Sequence, residues 1–216
     1  MQRGKFGFWT DQLPYRWSHR VTNFIFNVFG KLESHGNENI PRQGGILILC
    51  NHRSYLDPFI VGSAANRELY FMARHDSFEM PLIGPLIAAH NAYPVRRGTA
   101  DRAALRHTIS LLKSGKVVLI FPEGTRSVDG TLGKAHGGVS FIAHNAGVPC
   151  IPAYVKGTIL PRNAKWIHPA QLSVTFGTPM DFTEVKQIED KRELYRQMGE
   201  QIMQEIADLR DRQTVK

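Results

Sequence analysis

The chain has 216 residues, of which 42% are apolar and 21% charged, proportions that suit one filled core and exclude wholesale disorder. Lysine and arginine outnumber aspartate and glutamate by 27 to 19, a net charge of +8. That balance favours anionic partners: nucleic acid, phospholipid headgroups, a phosphorylated substrate or an acidic carrier protein.

The first 35 residues stand apart from the rest. Val21, Phe24, Ile25, Val28, Phe29 and Leu32 recur at helical spacing and predict one apolar stripe, with Arg20, Asn23, Asn27 and Lys31 mainly on the other side. Eight of the 21 aromatic residues lie within the first 29 positions, beside Arg3, Lys5, Arg16 and Arg20. Such a helix suits either the headgroup region of a bilayer or a place on a sheet, and off-stripe aromatics such as Phe26 favour the bilayer. Asp11, Gln12 and Pro14 interrupt the apolar residues, so no signal-peptide core is expected. No run reaches the roughly 18 apolar residues of a membrane span. The expectation is a protein kept in the cytoplasm, peripheral (monotopic) on the cytoplasmic face of a membrane.

Residues 36–216 read as one domain. Strand-like runs at 44–50, 69–73, 91–95, 116–121, 148–155 and 171–176 alternate with helical patterns at 58–66, 77–89, 99–114 and 137–146. This alternation predicts an α/β fold: a mixed, largely parallel sheet flanked by helices. Within 99–114, Thr99 is placed to cap, Asp101 falls in the first turn, Leu105, Ile109 and Leu112 form the stripe, and Gly115 ends it. Residues 183–212 predict a last amphipathic helix that turns Val185, Ile188, Leu194, Met198, Ile202, Ile206 and Leu209 to the core. Cys50 and Cys150, each inside an apolar run, read as buried free thiols in a reducing compartment.

Three clusters leave the ends of predicted strands, where open α/β sheets place their ligand crevice. In NHRSYLD (51–57), five residues of helix would turn His52 and Asp57 about 140° apart. Asp57 precedes Pro58, which disfavours helix at Asp57 and suits the first helical position. Arg53 to Leu56 therefore read as a bend, with Asp57 capping the next helix. The bend can bring the carboxylate to the imidazole, giving a histidine general base held in one tautomer. A capping aspartate beside an incidental histidine is the plainer alternative. In FPEGTRS (121–127), Pro122 and Gly124 predict a turn, Thr125 and nearby backbone N–H groups offer donors, and the Arg126 fork suits a phosphate. Glu123 is placed either at that site or in an ion pair that holds the loop. In YPVRRG (93–98), Arg96 and Arg97 point to opposite sides of an extended chain, so one of them faces the crevice.

Taken in order, NHRSYLD, PVRR, FPEGTRS and VPCIP (148–152) resemble the four blocks of the glycerolipid acyltransferase family, and within it the bacterial-type 1-acyl-sn-glycerol-3-phosphate acyltransferases. The likeness spans residues 40–180. It implies that His52 is the catalytic base and Asp57 its orienting partner. It further implies that Arg97, Glu123, Gly124, Thr125 and Arg126 bind the acceptor phosphate, with Asn51, Arg96 and Ser127 in support. Pro149 and Pro152 match the fourth block, with a structural or acyl-related role. After the third block the family often shows a Phe-Lys-Lys-Gly-like run, whereas this chain reads GKAHGG (133–138), with Lys134 and His136.

The implied reaction moves an acyl chain from an acyl-CoA or acyl carrier protein thioester to the free hydroxyl of lysophosphatidic acid, giving phosphatidic acid without an acyl-enzyme. The G-x-S-x-G elbow, catalytic-cysteine signatures, the G-x4-G-K-[ST] loop and metal-ligand spacing are all missing from the sequence. No cofactor, metal or nucleic acid is expected, and an anionic membrane surface is the expected partner. His19, His35, His75, His90, His107, His144 and His168 read as surface or packing residues. Another lysophospholipid or glycerol 3-phosphate is an alternative acceptor. A non-catalytic module that binds anionic lipid is the alternative of a different class.

Overall fold

In the computed structural model, residues 12–28, 31–96, 101–127, 129–158 and 171–214 are described. The run ILILC forms strand β2 (Ile46–Cys50), and none of its five residues reaches solvent. Continuous apolarity suits a strand covered on both faces. It pairs in parallel with β5 (Val117–Ile120) on one side and β6 (Cys150–Lys156) on the other. Beyond β5 lie β3 (Leu69–Arg74) and β4 (Ala92–Val95), also parallel. Beyond β6, β7 (Ser173–Phe176) runs antiparallel and β1 (Glu33–His35) joins parallel to β7. The order is β1-β7-β6-β2-β5-β3-β4, the mixed, largely parallel sheet that the strand–helix alternation predicts. Residues 33–35, read from sequence within the N-terminal segment, are thus the edge strand.

Helices cover both faces. On one lie α1 (Gln12–Val28), α2 (Asp57–Ala64) and α3 (Ile83–Ala89), contributing Phe26, Phe59, Ile60 and Ile87 to one core. On the other lie α4 (Arg102–Lys113), α5 (Gly137–Ala146) and α6 (Lys191–Thr214), contributing Leu112, Val139, Ile142, Leu194, Met198, Ile202 and Ile206. β2 to β6 all run the same way, so their carboxyl ends open along one edge.

Three helices differ from expectation. The pattern at 77–89 is split into a 3-10 turn (His75–Glu79) and α3, because Pro81 holds Met80 extended between them (φ −73°, ψ 126°). The cap of α4 is Asp101, whose carboxylate accepts from Ala104 N–H at 3.0 Å. Thr99, expected in that place, lies outside the described residues. The last helix starts at Lys191, and Val185 and Ile188 reach the core from a preceding 3-10 turn (Val185–Gln187) and its end.

The N-terminal helix forms as expected, with its faces settled by packing. Tyr15 is buried, its hydroxyl accepts from Leu69 N–H at 3.2 Å, and Phe26 packs on the core. Of the predicted stripe, Val21, Phe24, Ile25 and Val28 face away from the sheet and are exposed, Leu32 packs against the core, and Phe29 lies outside the described residues.

Candidate active site

β2 delivers His52 to the carboxyl edge, and Asn51 fixes where the strand stops. The Asn51 side chain is buried; its Oδ1 accepts from Val155 N–H at 2.7 Å and its amide donates to Val155 C=O at 3.1 Å. This side chain continues the β2–β6 pairing after the backbone has turned away, satisfying two buried main-chain groups. It also holds the residue before His52 to a strand 104 positions later.

After His52 the chain bends. Asp57 is fully buried, and its Oδ2 meets His52 Nδ1 at 2.8 Å. The same oxygen accepts from Arg53 N–H at 2.6 Å and Ser54 N–H at 2.7 Å. The expected capping role is therefore not what the structure has: no side-chain bond caps α2, and the carboxylate turns backward into the bend. Three nitrogens thus converge on one buried oxygen. They also fix the orientation of the imidazole, whose side chain is 12% exposed. With Nδ1 engaged, Nε2 is the nitrogen left for exchange with a ligand.

The loop after β5 closes on this bend. Phe121 lies against the imidazole, with ring centroids 3.9 Å apart and planes at 16°. Glu123 is buried between two loops: Oε2 accepts from His52 N–H at 3.2 Å and Oε1 from Gly133 N–H at 2.9 Å. Its carboxylate is therefore spent on the backbone. Among the described residues no ion pair joins it to Arg126. Ser127 N–H donates to His52 C=O at 2.8 Å, and Ser127 Oγ accepts from Gly130 N–H at 2.8 Å. Ser127 thus ties the loops together.

Gly124 adopts φ +63°, the left-handed region, in a turn whose N–H donates to Phe121 C=O at 3.0 Å. A Cβ here would stand 2.5 Å from His136 Cδ2, so both the turn and the close ring require glycine. Thr125 and Arg126 follow on the exposed side. The Arg126 guanidinium lies 3.6 Å from the centroid of the Tyr55 ring, which lines it up beside the NHRSYLD bend. Arg96 is exposed at the end of β4, and its N–H donates to Asp101 Oδ2 at 3.0 Å. Arg97 lies outside the described residues. Lys134 is exposed, and His136 N–H donates to Pro122 C=O at 2.9 Å, so the GKAHGG run folds back onto the turn. Pro152, at the β6 position that pairs with Leu49, is part of the sheet.

Burial, and then the Asp57 charge, push the Cys50 thiol well above its ordinary pKa. Burial pushes Cys150 to about 12. Both stay protonated and lack the thiolate that a nucleophile needs. Sequence reasoning missed Tyr55 and Phe121, whose partners come from other loops; their position inside the two motifs was the only signal. No group able to hold a metal is found among the described residues.

A family model described as Acyltransferase matches residues 31–156. The chain belongs to the acyltransferase family. It is 26% identical over 200 residues to the 1-acyl-sn-glycerol-3-phosphate acyltransferase of Bacillus subtilis, covering 92% of this chain and 98% of that one. To the chloroplastic protein of that name from Arabidopsis thaliana it is 32% identical, over 71% of this chain and 46% of the plant protein. The crystal structure of the 1-acyl-sn-glycerophosphate (LPA) acyltransferase PlsC from Thermotoga maritima superposes with a TM-score of 0.67 at 25% identity, covering 90% and 79% of the two chains. The family match covers all four blocks, from NHRSYLD to VPCIP.

Proposed function

We propose that this acyltransferase moves an acyl chain from a thioester to the free hydroxyl of lysophosphatidic acid, giving phosphatidic acid. The observation that carries the reading is the His52–Asp57 pair at 2.8 Å, open at the carboxyl edge, with Arg126 held alongside by Tyr55. The names of the matched relatives support the choice of acceptor.

In this reading His52 Nε2 takes the proton from the acceptor hydroxyl as its oxygen attacks the thioester carbonyl carbon. Asp57 stabilises the imidazolium that forms. When the tetrahedral intermediate collapses, the C–S bond breaks and the sulfur receives the same proton from His52. The enzyme forms no covalent intermediate, in keeping with two protonated, buried thiols, and the chemistry needs no cofactor.

Arg126 and Arg97 bind the acceptor phosphate, with Thr125 and the backbone of Gly124 adding donors. Glu123, Asn51 and Ser127 act on the same site by holding the His52 backbone, and Arg96 supports it from the end of β4. The donor is acyl-CoA or acyl carrier protein. The exposed stripe of α1 rests at the anionic cytoplasmic face of a membrane, where the lysolipid resides.

The test is thiol release on mixing the protein with acyl-CoA and lysophosphatidic acid. Rapid release by the unaltered chain, lost in His52→Ala with an unchanged circular-dichroism spectrum, is the expected result. Release by His52→Ala at the normal rate would exclude the mechanism. A preference for an acceptor lacking phosphate would exclude the substrate.

A further inference from the structure

A cavity of about 830 Å³ opens between residues 131–137 and one face of α6. The α6 side is a single helical stripe: Arg192, Tyr195, Gly199, Met203, Ala207 and Arg210 recur every three or four residues. At 1.5 Å per residue the stripe is about 27 Å long, so the cavity is a groove. Leu132, Ala135 and Gly137 form the facing wall. The walls meet at Gly199, where a Cβ would stand 3.3 Å from Ala135 Cβ and from Ser140 Oγ.

One end of the groove lies at the catalytic bend. α6 finishes at the carboxyl edge, since Ser173, which pairs with Lys156 at the end of β6, donates to Gln213 Oε1 at 3.4 Å. Arg210 and Arg53 both lie near the Tyr154 hydroxyl, where their charges oppose the rise that burial gives its pKa. Arg53 follows His52 directly, and its guanidinium packs on Gly130, where a Cβ would stand 2.7 Å from Nη2. Its Nε is buried with no hydrogen-bond partner among the described residues, a donor left for a ligand to satisfy. A second link runs through Gly133, which lines the groove. Its N–H is held by Glu123, whose other carboxylate oxygen holds His52 N–H. Arg126 and Arg96 follow β5 and β4, whereas α6 packs against β6, on the other side of β2. His52, at the end of β2, therefore stands between the two regions.

Charge and shape narrow the occupant. Arg196 is paired with Glu193 and Glu200, and Arg210 with Asp211. Lys134 and Arg192 are exposed on the rim, and among the described residues no carboxylate pairs with either. A long groove with an apolar floor, a cationic rim and an unsatisfied donor beside the base fits a thin, extended, phosphate-bearing molecule. We propose that it seats the coenzyme A of the thioester donor, with the pantetheine arm passing Arg53 to reach His52 and the phosphates on Lys134 and Arg192. The volume falls in the range of small-molecule sites, about 300–1,000 Å³, whereas an acidic carrier protein would need a broad face. This rests on the acyl-transfer reading above and puts donor and acceptor on opposite sides of His52.

The test uses the full chain and two variants. Lys134→Ala combined with Arg192→Ala removes the two rim charges, and Ala207→Glu sets a carboxylate in the groove. With palmitoyl-CoA as donor, the double variant should raise donor KM about 3- to 10-fold and Ala207→Glu should raise it further. The kcat and the KM for lysophosphatidic acid should hold. Titration calorimetry with coenzyme A alone should show the same weakening. A donor KM unchanged in both variants would overturn the proposal. So would turnover confined to acyl carrier protein, with its KM raised by the variants, which would assign the rim to that protein. Coenzyme A bound by the unaltered chain and lost in the variants, in a protein that fails to acylate lysophosphatidic acid, would uphold the groove and remove only the acceptor reading.

Discussion

The imidazole of His52 lies flat on the ring of Phe121, with centroids 3.9 Å apart. The ring covers one face of the imidazole and restrains its rotation away from Asp57. Phe121→Leu keeps the site apolar and removes the face. The expected result is kcat lowered about 3- to 10-fold, matching the size of such ring pairs, with KM for the acceptor little changed. Steady-state kinetics on the two proteins measures this split.

Asp57→Asn retains the volume of the side chain and loses its charge. One amide cannot accept from His52, Arg53 and Ser54 as a carboxylate oxygen does, and the imidazolium loses its counter-charge. In the proposed mechanism kcat falls about 10²- to 10⁴-fold, with the chain still folded by circular dichroism. A kcat within twofold of normal would remove Asp57 from the mechanism.

Tyr55 gives Arg126 a platform at the rim of the site. Exposed cation–π contacts are modest, so Tyr55→Ala is expected to raise KM for lysophosphatidic acid about 2- to 5-fold without altering kcat. Tyr55→Phe, which keeps the ring face, should behave as the original. Equal effects of the two substitutions would assign the role to the hydroxyl.

Gly124→Ala places a Cβ at φ +63° and 2.5 Å from the His136 ring. The backbone strain alone costs about 1–2 kcal/mol, or about 2–8 °C in Tm for a chain of this size. The turn also aims Arg126, so acceptor KM should rise. Replacing His136 by Ala in the Gly124→Ala protein removes the ring clash and should recover part of the Tm, leaving the φ penalty.

His90 is buried where α1 meets α3, and burial lowers its pKa, as it does for the neighbouring His19. Leu86 C=O and Thr22 Oγ1 face its two nitrogens, and the Phe59 and Tyr15 rings cover it. Among the described residues Glu68 is the carboxylate acting on His19, and its charge opposes that shift. Above the ordinary histidine value of about 6.5 both rings are neutral in folded and unfolded chains, and stability is full. As pH falls through that value the unfolded chain binds protons that the folded chain resists, so stability declines. Tm should drop between pH 7.5 and 5.5, and His90→Asn should flatten part of the slope. A Tm unchanged over that range would contradict the burial argument.

Much of this molecule is legible one segment at a time. ILILC reads as a strand and forms one, and Gly137–Ala146 appears where its periodicity puts it. Proline explains where the reading failed: the same apolar spacing at 77–89 looks helical until Pro81 divides it. The α1 stripe was visible as a stripe, but its direction was not. Period alone cannot say which face of an amphipathic helix meets protein, and the buried Tyr15 and Phe26 decided that.

For the site, spacing, turn residues and the order of the four blocks were enough to nominate His52, Asp57 and Arg126, because these depend on neighbours within a few residues. Their partners are another matter. Asn51 meets Val155 across 104 positions, and Glu123 reaches the His52 backbone across 71. Phe121 comes under the imidazole because β5 lies beside β2 in register. Asp57, which sequence made a helix cap, spends its oxygen on the bend behind it. The sequence by itself determined which residues to nominate for the chemistry and that strands would carry them to a common edge. Only the tertiary structure decided what holds each one still, because strand order and register set contacts that no local periodicity encodes.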